Sequence, residues 1–118
     1  MIETRISVIL LGDNFVGKTS IIRRIKDKTF ERELSTIGFD FYSVKIKYEI
    51  KNILISLFFI DTNGMEITEF QYSNYISNSH IILLVFSDLQ SFDLLIKRWY
   101  KYYEKYRSLN SRIILICQ

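Results

Sequence analysis

The sequence predicts an α/β domain with a mostly parallel sheet and helices on its faces, and three observations carry that expectation. Short, nearly continuous apolar runs recur at Ile6–Leu11, Ile53–Ile60, Ile81–Phe86 and Ile113–Ile116, the pattern of strands buried on both faces. Segments with apolar residues three and four apart lie between some of them, as amphipathic helices require. The stretch Gly12–Thr19 follows the first run and precedes the first helical segment. Strands that alternate with helices specify layers of helix on a parallel sheet.

Each element follows from its own pattern. Ser20–Lys28 places Ile21, Ile22 and Ile25 on one side of a helix. From Ser43 to Ile50 the chain alternates, with Val44, Ile46, Tyr48 and Ile50 facing one way and Ser43, Lys45, Lys47 and Glu49 the other. That is a half-exposed edge strand. Lys51-Asn52 then suits a hairpin turn into Ile53–Ile60. Phe92, Leu95, Ile96, Trp99, Tyr102, Tyr103 and Tyr106 fall on one stripe of a helix of about four turns. His80, at a strand entrance, reads as structural.

Composition limits the function. The chain has 118 residues, 48% of them apolar and 25% charged, so it forms one globular domain. A net charge of +3, without a stripe of basic residues interleaved with aromatics, argues against nucleic acid as a partner. The one cysteine, Cys117, leaves no internal disulfide and fits a reducing compartment. No apolar run reaches the ~20 residues of a membrane span, and Met1–Leu11 lacks a signal-peptide pattern. A cytoplasmic location is the expectation.

Gly12–Thr19 reads G-D-N-F-V-G-K-T, a phosphate-binding loop of the form G-x-x-x-x-G-K-[ST] between a strand and a helix. The glycines let the backbone N–H groups of Asn14, Phe15, Val16 and Gly17 curl toward phosphate oxygens. Lys18 supplies a point charge for the β and γ phosphates, and the Thr19 hydroxyl is a natural Mg²⁺ ligand. The helix that begins near Gly17 adds its positive end.

Further segments follow in a telling order: Phe30, then Thr36-Ile37-Gly38-Phe39-Asp40-Phe41, then Asp61-Thr62-Asn63-Gly64. With them the chain resembles a small GTPase of the Ras superfamily, nearest to the Rab branch. The loop resembles G-D-S-G-V-G-K-[ST], T-I-G-F-D-F resembles the switch I sequence T-I-G-V-D-F, and D-T-N-G stands for D-T-A-G. Ser91-Phe92 through Trp99 is similar to the start of the family's third helix, and Tyr75–His80 to Y-Y-R-G-A-H. The resemblance implies a P-loop fold of five strands in order 2-3-1-4-5, with the second strand antiparallel. It implies a GTP or GDP site at the loop residues and Ser20, with Phe30 against the base and Thr36 and Gly64 at the γ-phosphate. It implies Mg²⁺ held by Thr19 and Thr36 directly and by Asp61 through water. Effectors, exchange factors and GTPase activators would meet Ile37, Gly38, Phe39, Asp40 and Phe41, and the biological role would be a switch in vesicle traffic. Taken singly, Thr36 reads equally as a turn opener, Asp61 has a bland reading as a strand terminator, and Phe30 alone is more often core than a base contact.

Departures from the family pattern bear on function. Met65 stands at the glutamine that orients the attacking water, and a thioether cannot donate a hydrogen bond. Intrinsic hydrolysis is therefore expected to be weak. Asn14 and Phe15 replace small loop residues, Ile60 replaces a tryptophan, and Ile67-Thr68 replaces an R-F pair. Gln118 falls where the asparagine of N-K-x-D would come, so residues 1–118 read as a G domain incomplete at its C-terminus. Cys117-Gln118 does not resemble a lipidation tail, so contact with endomembranes is expected to go through partners. The other reading of the chain is a non-catalytic interaction module, or a gene fragment, that keeps the switch I surface without a working nucleotide site.

Overall fold

The computed structural model describes residues 1–13, 17–25, 39–62 and 68–118, and the backbone alone of 31–32. In chain order the elements are β1 (Ile2–Leu11), α1 (Lys18–Ile25), β2 (Glu31–Arg32) and β3 (Asp40–Tyr48). After a 3₁₀ turn at Glu49–Lys51 come β4 (Ile53–Asp61), α2 (Glu69–Ser77) and β5 (Ile81–Phe86). A long helix follows, made of α3 (Leu89–Leu94), a π turn (Leu95–Trp99) and α4 (Tyr100–Tyr106), and β6 (Arg112–Cys117) comes last.

Among the described residues the sheet has six strands in the order β2-β3-β4-β1-β5-β6. The five strands expected from sequence are all there, in the expected order. β1 pairs in parallel with β4 and β5, β5 with β6, and β3 runs antiparallel to β4. The addition is β2, two polar residues antiparallel to β3, too short to leave a periodic pattern. The hairpin turn is one step more elaborate than expected. The 3₁₀ turn takes Ile50 out of the strand, and Asn52 closes it at φ 52°, a conformation asparagine tolerates better than most residues.

Alternation along β1 divides the core in two. Ile9 and Leu11 face α2 and the long helix, in a cluster with Ile60, Ile82, Leu84, Tyr72, Ile76, Leu95, Trp99 and Tyr103. Val8 and Leu10 face α1, in a cluster with Ile22, Val44, Phe59, Leu83 and Val85. Ile22 is the buried anchor of α1, while Ile21 is half-buried and Ile25 exposed. In the long helix, Leu95, Trp99 and Tyr103 are buried but Ile96 is 44% exposed. The expected stripe included Ile96. The π turn widens the helix there, and an extra residue in a turn shifts which side chains share a face.

Both helices on the first face begin with reciprocal caps. Thr68 accepts from the Gln71 amide at 3.2 Å while Gln71 accepts from the Thr68 amide at 2.9 Å. Asp88 and Ser91 do the same for α3, at 2.7 and 3.0 Å. Each cap satisfies helix-end donors that would otherwise lack partners.

Candidate phosphate and metal site

β1 lies between β4 and β5, the point at which the strand order reverses, and open α/β sheets bind ligands beyond the C-terminal strand ends there. Gly12 and Asp13 leave the end of β1, and Gly17 re-enters α1 at φ 94°, in the left-handed region that favours glycine. Space reinforces that choice, because a Cβ on Gly17 would come within 3.1 Å of the Gln118 side-chain nitrogen.

Lys18 is the first residue of α1 and is 3% exposed. Its Nζ donates to the Gly12 carbonyl at 2.6 Å and to the Asp13 carbonyl at 2.8 Å. Burial lowers the ammonium's pKa from 10.5 to about 8, against the upward pull of Asp61 and Asp13. A buried ammonium with a pKa near neutral is poised to gain from an anion, which would restore the charge that burial disfavours.

Asp61 ends β4 level with Leu10 of β1 and Asp40 of β3. It is wholly buried, and the Thr19 hydroxyl donates to its Oδ2 at 2.5 Å. Its Oδ1 is buried without a hydrogen-bond partner among the described residues. Burial raises the Asp61 pKa, the Thr19 hydroxyl and Lys18 lower it, and the nearby Asp40 adds to the rise. A buried carboxylate oxygen lacking a partner is costly unless something positive or hydrogen-bonding reaches it. Hydroxyl and carboxylate oxygens are the donors that a hard cation such as Mg²⁺ takes, usually with waters retained. Thr19 and Asp61 therefore fit the metal. Among the described residues there is no group of three or more His, Cys, Asp or Glu that could hold an ion, so a cation here needs oxygens from hydroxyls, waters or phosphate. Thr62 fixes the strand end, donating to the Leu10 carbonyl at 2.5 Å.

Of the residues singled out from sequence, the structure brings Gly17, Lys18, Thr19 and Asp61 together. Ser20 is exposed on α1. Phe39 and Phe41, expected on a partner surface, are instead 2% and 8% exposed. Phe39 packs on Tyr72 and Tyr75, and Phe41 stacks on Phe58 at 5.6 Å. Their alternate positions at the start of β3 turn both rings toward α2, leaving the intervening Asp40 half-buried. Asn14, Phe15, Val16, Phe30, Thr36, Ile37, Gly38, Gly64 and Met65 lie outside the described residues.

Two residues, Trp99 and Gln118, make contacts at the site that were not anticipated. The Trp99 indole N–H donates to Asp13 Oδ1 at 3.3 Å. The Gln118 side chain donates to the Gly17 carbonyl at 3.0 Å and accepts from Arg24 at 2.8 Å, while its backbone N–H donates to the Phe86 carbonyl at 2.8 Å. A buried indole needs an acceptor, which was the one available signal for the first. His80, read as structural, accepts from the Ser7 amide at Nδ1 over 2.9 Å and extends the β1–β5 ladder by one step.

The profile of the family described as "Ras of Complex, Roc, domain of DAPkinase" matches residues 7–118. The chain belongs to the Ras superfamily of small GTPase domains. It is similar to the Ras-related protein Rab-1 of Theileria annulata, 35% identical over 112 residues, covering 92% of this chain and 50% of that protein. It is similar to the Ras-related protein Rab-12 of Mus musculus and of Homo sapiens, 37% identical over 117 residues, covering 97% of this chain and 47% of each. The chain thus spans about half the length of the curated relatives it matches. Among the described residues no helix is long and apolar enough to cross a membrane.

Proposed function

We propose that this Ras-superfamily domain binds a guanine nucleotide with Mg²⁺ and serves as a Rab-like switch in vesicle traffic, with weak intrinsic hydrolysis. The observation that carries the reading is the pair of incomplete charges side by side: a buried Lys18 ammonium and a buried Asp61 oxygen without a hydrogen-bond partner among the described residues. An Mg²⁺–phosphate ligand would complete both. Lys18 would meet phosphate oxygens, and Thr19 and Asp61 would hold the metal, joined by Thr36. The metal, when bound, supplies positive charge against the phosphates and the buried carboxylate. Gly17 and the loop before it would present backbone N–H groups, Phe30 would lie against the base and Gly64 at the γ-phosphate. Residues 1–118 would then be the phosphate- and metal-binding part of a G domain, cytoplasmic, reaching endomembranes, effectors and regulators through protein contacts.

Met65 at the water-orienting position favours a second reading, an interaction module that does not turn nucleotide over. Two measurements separate these. Release and chromatography of whatever nucleotide co-purifies with the chain should give GDP or GTP, and a chain that carries and rebinds none supports the module. Single-turnover hydrolysis should be very slow and should rise in Met65→Gln; an unchanged rate would mean that water orientation is not what limits it.

A further inference from the structure

The long helix widens into a π turn at Leu95–Trp99, and the residue that closes the turn is the one tryptophan of the chain. Single π turns inside α-helices cost regularity and recur at functional sites. Here the turn leaves Ile96 exposed and Trp99 buried, at 44% and 3% exposure. The indole N–H then reaches a carboxylate 86 positions earlier, Asp13 Oδ1, at 3.3 Å. Asp13 is part of the phosphate loop, and its own carbonyl is one of the two that receive Lys18.

The surroundings of Trp99 join the other walls of the site. Its ring meets Tyr72 of α2 edge-on at 4.9 Å, and Tyr72 meets Phe39 edge-on at 5.9 Å. Phe39 immediately precedes β3. Arg98 lies over the Trp99 ring at 4.5 Å. Packing alone would be served by phenylalanine at position 99. The indole adds to the ring stack a donor aimed at the loop, which phenylalanine lacks.

We propose that Trp99 is a positioning residue for the phosphate loop: its indole N–H holds the Asp13 side chain and thereby the Gly12 and Asp13 carbonyls that place Lys18. This rests on the nucleotide-binding reading and deepens it, since Trp99 would set ligand affinity without touching the ligand.

The test is a titration of the full chain with Mg²⁺–GDP by calorimetry. Trp99→Phe keeps the ring and removes the donor, and should weaken binding about three- to tenfold, the worth of one ordinary hydrogen bond felt through the loop. Asp13→Ala should weaken binding to the same extent, Asp13→Asn should restore it by keeping an acceptor, and the double variant Trp99→Phe/Asp13→Ala should be no weaker than either single one. The indole N–H gives one resonance, and it should move when Mg²⁺–GDP is added to the wild type but not to Asp13→Ala. A purely structural tryptophan would show neither the asparagine rescue nor that loss of response. Wild type that binds Mg²⁺–GDP while Trp99→Phe binds equally well, or additive losses in the double variant, overturns the inference alone. Wild type that does not bind Mg²⁺–GDP overturns the nucleotide reading and the inference with it. Should Trp99→Phe fail to fold, Asp13→Ala decides, and affinity equal to wild type in that variant overturns the proposal.

Discussion

The two faces of the sheet carry cores of different make. Under α2 and the long helix, aromatic rings dominate: Phe39, Phe41, Tyr72, Trp99 and Tyr103 are buried, and Phe58, Tyr75 and Phe92 pack against them. Under α1 the residues are mostly aliphatic, with Val8, Leu10, Ile22, Val44, Leu83 and Val85 around Phe59. Coverage differs as well. On the α1 face Ile46, Tyr48 and Ile114 are 44%, 42% and 47% exposed. The comparison separates two tasks. The aromatic face holds the ring whose N–H meets Asp13 of the loop, and the aliphatic face packs under the helix whose first residue is Lys18.

Substitutions can break that comparison, and the largest effect is expected in the aromatic core. Leu95→Ala, at a wholly buried position, should cost about 2–5 kcal/mol. Ile114→Thr on the open part of the other face should stay within about 1 kcal/mol. Urea unfolding of both variants checks the ratio, and equal losses would mean that the faces are equally well packed.

Next in size is the price of burying Lys18. Its pKa is about 8 when folded, against 10.5 as the ordinary value. Below pH 8 the lysine is charged in both states and its burial counts fully against folding. As pH rises from about 8 to 10.5 the folded chain gives up this proton first, so stability rises over that window. Relative to Lys18→Met, the wild type should gain about 1–3 kcal/mol across it. Tyr72, raised by burial to about 12, lowers stability between pH 10 and 12 in both chains and cancels in the difference. A flat difference between the two chains would contradict the buried-ammonium account.

A smaller effect sharpens the role of α2. Thr68→Ala removes the reciprocal cap with Gln71 and should cost about 0.5–2 kcal/mol, read as a shift in urea midpoint with unchanged slope. The smallest belongs to the Asp93–Lys97 pair, 2.8 Å apart with both side chains more than 60% exposed. Lys97→Ala should change stability by no more than about 0.5 kcal/mol.

The legible parts of the fold were those set by local pattern. Continuous apolar runs marked β1, β4 and β5 because strands inside a parallel sheet are buried on both faces, and alternation marked β3 because it lies near an edge. The run Ile113–Ile116 did mark β6, but it was read as buried, whereas β6 ends the sheet beside β5 with Ile113, Ile114 and Leu115 38%, 47% and 53% exposed. Lys18, Thr19 and Asp61 were singled out because backbone curvature, charge and a hydroxyl follow in fixed order in a phosphate-loop pattern, and the structure brings the three side by side. What stayed hidden depends on distant partners or on backbone detail. Trp99 looked like one more core ring until its donor was seen at Asp13. Gln118 meets Gly17 across 101 positions, and no local period encodes such a contact. The π turn leaves no mark in residue type, so Ile96 was counted on the wrong face. Phe39 and Phe41 were read as partner-facing from the family pattern, whereas strand alternation alone would have turned them toward one apolar side.

The most direct test of the phosphate site is calorimetric titration of the chain with Mg²⁺–GDP, wild type against Lys18→Ala. Removing one charge-assisted contact of about 1.5–3 kcal/mol should weaken binding ten-fold or more, in a variant that still unfolds cooperatively. Equal affinity in the two chains, or no binding in a folded wild type, would contradict the account of Lys18 and Asp61 as the two halves of an Mg²⁺–phosphate site.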